Sequence, residues 1–91
     1  MLILWDEPKR LANLDKHGLD FAAFEVSFDI ETALERPTRA SGTGRSRSVL
    51  IGWWDGRLVV VVVASRLGHE AMSLVSIRPA NRKERDFYDG H

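Results

Sequence analysis

At 91 residues, 44% of them apolar and 29% charged, the chain has the size and composition of one soluble domain with a modest core. It has no cysteine, and its three histidines form no close-spaced pair, which excludes a disulfide framework and disfavours a zinc site. The formal charge is zero, yet residues 1–35 hold eight acids against three bases and residues 36–91 hold ten bases against five acids. The basic part suits an anionic partner such as nucleic acid, unless the two surfaces neutralise each other on folding.

The opening MLILW reads as a first strand. Acids follow it directly and no basic lead-in precedes it, so it is not a signal peptide and a cytoplasmic protein is expected. In DEPKRLANLDKHG, Asp6 is a candidate N-cap, Pro8 suits the first turn and Gly18 is a natural stop, which predicts a short helix over about residues 7–16. Leu11 and Leu14 share one of its faces. Asp20 caps a second helix in which Phe21, Phe24 and Phe28 fit the i, i+3, i+7 pattern; Phe24, Phe28 and Ile30 also fit alternation, so this helix can stop near Phe28.

Residues 35–47, ERPTRASGTGRSR, hold four arginines, two glycines, two serines and no large apolar side chain, and read as a basic loop. SVLIGWW and RLVVVVVASR flank Asp55-Gly56 as a hairpin. The continuous valine run fits a central strand covered on both faces, and LVVVVVA is far too short to span a bilayer. Adjacent Trp53 and Trp54 point to opposite faces, so at most one enters the core and the other is available to an interface. LGHE is a turn, AMSLVSIR a further strand, and PANRKERDFYDGH a polar helix entered at Pro79 and ending near Gly90. The expected order is β-α-α-β-β-β-α: a single α+β domain over residues 1–91, with helices packed on a small, mostly antiparallel sheet.

No GxGxxG, phosphate loop, HExxH or nucleophile elbow is present. The candidates are titratable and cationic side chains. His17 has a near-neutral intrinsic pKa suited to acid–base chemistry, or is a cation placed at a helix C-terminus. His69 and His91 read as solvated. Arg45, Arg47, Arg78 and Arg82 fall at strand starts, a strand end and a helix start. Antiparallel pairing can bring such ends together to bind phosphate bidentately, or the arginines serve sheet-edge solubility. Arg82, Lys83, Glu84 and Arg85 read as a solvated helix face, and Tyr88 stacks on a base or packs on the sheet.

Several of these residues fall into one pattern. WDEPKRLANLDKHGLDF resembles the opening of the BrnT family, W-D-x-x-K-x-x-x-N-x-x-K-H-G-x-x-F, through Trp5, Asp6, Lys9, Asn13, Lys16, His17, Gly18 and Phe21. VSIRPANRKERDFY is similar to the family's tail through Ser76, Arg78, Ala80, Glu84 and Tyr88, and Arg47 with Gly52 matches the segment between. The resemblance implies a RelE-like α+β fold and a ribonuclease toxin of a type II toxin–antitoxin system. It also implies a BrnA-like antitoxin that binds DNA and, in complex with the toxin, represses the operon.

The mechanism then expected is RNA cleavage through the substrate's own 2′-hydroxyl, with neither metal nor cofactor and without a membrane. His17 or Glu84 would be the base or acid, and Arg47, Arg78 and Arg82 would stabilise charge. Lys16 would bind backbone phosphate, Arg45 would join it there, and Tyr88 would stack or orient. The chain departs from the family at Ser46, where an acid is usual, and at Ser73 and Pro79, where bases are usual. Each departure removes a charge near the presumed site, so a catalytically degenerate module that only engages antitoxin or nucleic acid is the alternative reading.

Overall fold

A computed structural model describes residues 1–36 and 47–90. Its elements are β1 (Leu2–Trp5), α1 (Glu7–His17), a 3-10 turn (Phe21–Ala23), α2 (Phe24–Ser27), β2 (Leu34–Arg36), β3 (Arg47–Trp54), β4 (Leu58–Leu67), β5 (Ala71–Pro79) and α3 (Arg82–Asp89). The five strands form one sheet in the order β1-β5-β4-β3-β2. β1 lies parallel to β5 and every other pairing is antiparallel.

Two expectations need correction. β2 adds a strand to the expected order and takes Glu35 and Arg36 out of the stretch read as loop. With three residues, one of them apolar, it carries no strand signal of its own; pairing with β3 at Leu34↔Ile51 and Arg36↔Val49 makes it a strand. The second helix shrinks to the 3-10 turn and a single turn of α2. Phe28 leaves helical geometry at φ −86°, ψ 126° and bridges Trp54 near the tip of the β3–β4 hairpin.

Local chemistry accounts for the rest. Gly18 ends α1 in the left-handed region at φ 70°, donating to Leu14 O at 2.8 Å, as its position predicts. Asp6 holds the N-cap position without a side-chain cap bond, whereas the Asp20 carboxylate accepts from Ala22 N–H. Asn13 is the buried polar residue of α1. Its amide donates to Leu19 O and Ile77 O, both at 2.9 Å, and accepts from Ile77 N–H at 3.0 Å. β1 pairs with β5 only as far as Leu74, so Asn13 takes the place of a neighbouring strand at Ile77 and pins α1 to that edge.

The valine run is central and covered on both faces, as its continuity predicts. Val60, Val62 and Ala64 face Leu19, Phe21, Phe24 and Phe28, together with Trp54, Leu74 and Ile77. Val59 and Val61, with Ile51, face Ala80, Phe87 and Tyr88. Trp54 is core and Trp53, on the opposite face, is 37% exposed. Gly52 lies under Phe28: a Cβ there would come within 3.1 Å of the Phe28 ring and of Ala33 Cβ. Among the described residues no helix is long and apolar enough to cross a membrane.

Candidate functional site

The face of the sheet that carries α3 is built from register rows, because cross-strand partners share a face. One row runs Arg78, Val61, Ile51, Leu34; the next runs Ser76, Val63, Val49, Arg36. Beyond a β-bulge the third runs Leu4, Ser73, Ser65, Arg47. α3 packs over the first of these rows and leaves the serines of the other two partly accessible.

At the margin of α3 lies a charge cluster. Glu84 is 4% exposed, and its carboxylate accepts from both ends of the Arg78 guanidinium at 2.7 Å. Glu84 Oε1 also accepts from Asn81 N–H at 2.9 Å, and the Asn81 side chain accepts from Glu84 N–H, so a capping box fixes the start of α3. Arg36 reaches the same carboxylate from β2 at 3.9 Å and lies 5.7 Å from the centre of the Phe87 ring. One buried anion thus holds two arginines. The Arg78 hydrogen bonds keep the Glu84 carboxyl below the usual carboxylate range against the opposing effect of burial, and Glu84 in turn raises Arg78.

Lys9, Asn13, Lys16 and His17 of α1 line a depression of about 250 Å³ with Val75 and Ser76. Ser76 precedes Arg78 by two residues on the same face, so the α1 basic side chains and the Arg78 cluster flank one short segment of β5. His17 is partly buried, and among the described residues its imidazole makes no hydrogen bond or ion pair. At the far side of α3, the Tyr88 hydroxyl donates to Thr32 O at 3.2 Å and its ring meets Trp53 edge-on, 6.3 Å between centroids. Packing is therefore what Tyr88 does in this structure.

The structure brings Arg78 and Glu84 together, and sets His17 and Lys16 around a depression that reaches β5 at Ser76, two residues before Arg78. It does not bring Arg47 next to Arg78. β3 and β5 both run antiparallel to β4 and hence parallel to each other, so a residue that starts one and a residue near the end of the other lie apart. Their partners on β4, Ser65 and Val61, are four residues distant, about 13 Å. Arg82 is exposed in the first turn of α3. Arg45 and Ser46 lie outside the described residues. Arg36 is the site residue that sequence reasoning missed, hidden among the arginines of the basic stretch on a strand that forms only through pairing with β3. Among the described residues no cluster of three or more His, Asp or Glu side chains could hold a metal.

A five-stranded mixed sheet with helices packed on it defines an α+β protein. The family model described as ribonuclease toxin, BrnT, of type II toxin–antitoxin systems matches residues 5–84, and the chain belongs to that family. It is similar to the Brucella abortus ribonuclease toxin BrnT, solved at 1.1 Å, with 40% identity and a TM-score of 0.73, over 90% of this chain and 99% of that one. No curated protein matches the sequence.

Proposed function

We propose that this chain is an endoribonuclease toxin that cleaves RNA without a metal, and that a BrnA-like, DNA-binding antitoxin neutralises it. The observation that carries the reading is the pair of arginines held by one buried carboxylate, on the strand whose Ser76 lines the His17 depression. Arg78 and Arg36 bring two positive charges to a single negative one, so the cluster keeps an excess charge for a phosphate. Family membership and the match to the Brucella toxin support RNA as the substrate and a protein antitoxin as the partner. The RelE-like fold implied by the family resemblance belongs to the same reading.

In the proposed reaction His17 takes the proton of the 2′-hydroxyl. The 2′-oxygen attacks the adjacent phosphorus, the bond to the 5′-oxygen breaks, and that oxygen leaves with a proton from solvent. Arg78 and Arg36 stabilise the extra negative charge on the phosphorane. Lys16 holds a neighbouring phosphate from the α1 side, and Arg47 and Arg82, with Arg45, hold phosphates further along the strand. Glu84 moves from proton carrier to positioning residue: both its oxygens are engaged and its carboxyl is held ionised, so it serves by aiming Arg78. Tyr88 supports α3 and is a stacking surface only at its exposed edge.

The test is cleavage of RNA by purified protein in EDTA. Arg78→Ala is expected to lose about 10²–10³ in rate. His17→Ala is expected to fold normally and to lose about 10²-fold or more in rate, the usual contribution of a general base. Full activity in folded Arg78→Ala would refute the assignment. The second reading, a degenerate module that binds without cutting, is favoured by Ser73, which puts a neutral side chain on the open face where the family commonly has arginine. Normal growth of a bacterial host at high soluble expression would select it.

A further inference from the structure

The site face does not end at Arg47. Beyond the row Leu4, Ser73, Ser65, Arg47 lies one more row, Leu2, Ala71, Leu67, on the same side of the sheet. Leu2, Leu4 and Leu67 are 59%, 40% and 50% exposed, and Met1 joins Leu2, Leu67 and Ala71 around one depression at this corner, with His69 and Glu70 of the β4–β5 turn at its rim. The sheet face therefore grades from uncovered leucines, through serines, to the arginine cluster under α3.

We propose that this apolar corner is the anchor for an amphipathic, acidic segment of the protein antitoxin, which places its apolar side chains on Leu2, Leu4 and Leu67 and its carboxylates on Arg47 and the Arg36–Arg78 pair. The inference rests on the reading of the chain as a toxin with a protein partner. RNA does not account for the corner: an aliphatic side chain offers a phosphate no donor and a base no aromatic face. The chain's own undescribed stretch does not account for it either, because PTRASGTGRS (37–46) contains no large apolar residue. A segment complementary to the whole gradient needs apolar groups at one end and negative charge at the other, which is a protein chemistry. The Leu2 row lies three row steps from the Arg78 row, roughly 20 Å, a span covered by about six extended residues. An occupant anchored at the corner thus reaches the cations and excludes RNA from them.

The experiment uses the full chain and, as probe, the purified protein encoded by the adjacent gene. RNA cleavage by the free chain is measured separately, so a failure of the ribonuclease reading shows itself without the partner. Leu2→Glu and Leu67→Glu are expected to keep cleavage while losing partner affinity by about tenfold or more and escaping inhibition. Val26→Glu, at the most exposed apolar residue of α2, is the control and is expected to bind as the wild type does. Equal inhibition of all three variants overturns the proposal and leaves the ribonuclease reading standing. So does loss of cleavage in the folded corner variants, which would assign the corner to RNA. A wild-type dimer that Leu2→Glu and Leu67→Glu convert to monomer assigns it to a second copy, and no binding of the probe by the wild type removes both partner and surface.

Discussion

Among the described residues, two three-member ion clusters have opposite stoichiometry. On α1, Arg10 lies between two acids, donating to Glu7 and reaching Asp20 at 3.2 Å. On α3, Glu84 lies between two bases, Arg78 and Arg36. The first has an anion to spare and sits on the surface, where water and salt screen the excess. The second buries its shared anion and leaves the spare charge on two arginines that reach solvent from opposite sides, β5 and β2. Surplus negative charge in water needs no partner. Surplus positive charge organised around a buried carboxylate is aimed before an anion arrives, and that preorganisation separates a site from a charged surface.

Glu84→Gln attacks the centre of the second cluster, and the largest effects are expected there. The amide keeps the shape and can still accept from Asn81 N–H, but it frees Arg78 to move. RNA cleavage should fall about 10-fold or more, a positioning effect smaller than removal of Arg78 itself. Stability at neutral pH should fall by about 1–3 kcal/mol, read from denaturant midpoints, through loss of a charged hydrogen-bonded pair. The pH dependence has a definite sign. The folded-state carboxyl is held below its ordinary value of 4.5, chiefly by Arg78, so its stabilising contribution is fully present above that pH. As the pH drops below 4.5, the unfolded chain takes up its proton first and the contribution shrinks, until the native carboxyl protonates as well. Glu84→Gln should flatten this acid limb. An unchanged limb would mean that another carboxylate governs it.

Arg36→Ala sharpens the comparison by removing one base and leaving Arg78 clamped. Arg36 is about half exposed and makes the looser contact with Glu84, so folding should hardly change. The expected loss in RNA cleavage is about tenfold at low salt, with a shallower salt dependence than wild type, because one phosphate contact is removed. Activity equal to wild type at every salt concentration would reduce the cluster to a structural clamp on α3.

The two clusters also differ in how far the sequence displayed them. Arg78 and Glu84 lie six residues apart across the join of strand and helix, and the family signature marks both. Their direct contact was not readable, since Arg82, Lys83, Glu84 and Arg85 together look like a solvated helix face; only the capping box at Asn81 turns Glu84 inward. Arg36 was illegible because β2 is a strand only through pairing with β3. The placement of Arg47 failed for a topological reason, as strand ends alone do not say which strands run in the same direction. By contrast, the hairpin at Asp55-Gly56, the opposed tryptophans, the doubly covered valines and the Gly18 cap were legible, because each rests on local geometry or strand periodicity. Asn13 was visible in the signature, but its role as a substitute strand partner for Ile77 follows only from β1 stopping its pairing at Leu74.

Arg10→Ala is the complementary change in the first cluster and has the smallest expected effect. It removes the cation shared by Glu7 and Asp20 and leaves two acids in water. Asp20 keeps its principal stabilising contact, the N–H of Ala22, so the cap on the 3-10 turn survives. Asn13, rather than Arg10, ties α1 to the sheet. RNA cleavage and the thermal midpoint should therefore both stay within experimental error of wild type. If cleavage instead falls in a protein that melts normally, the acidic end of α1 is coupled to His17 and Lys16 at its other end, and the distinction between a screened surface cluster and a preorganised site would no longer hold.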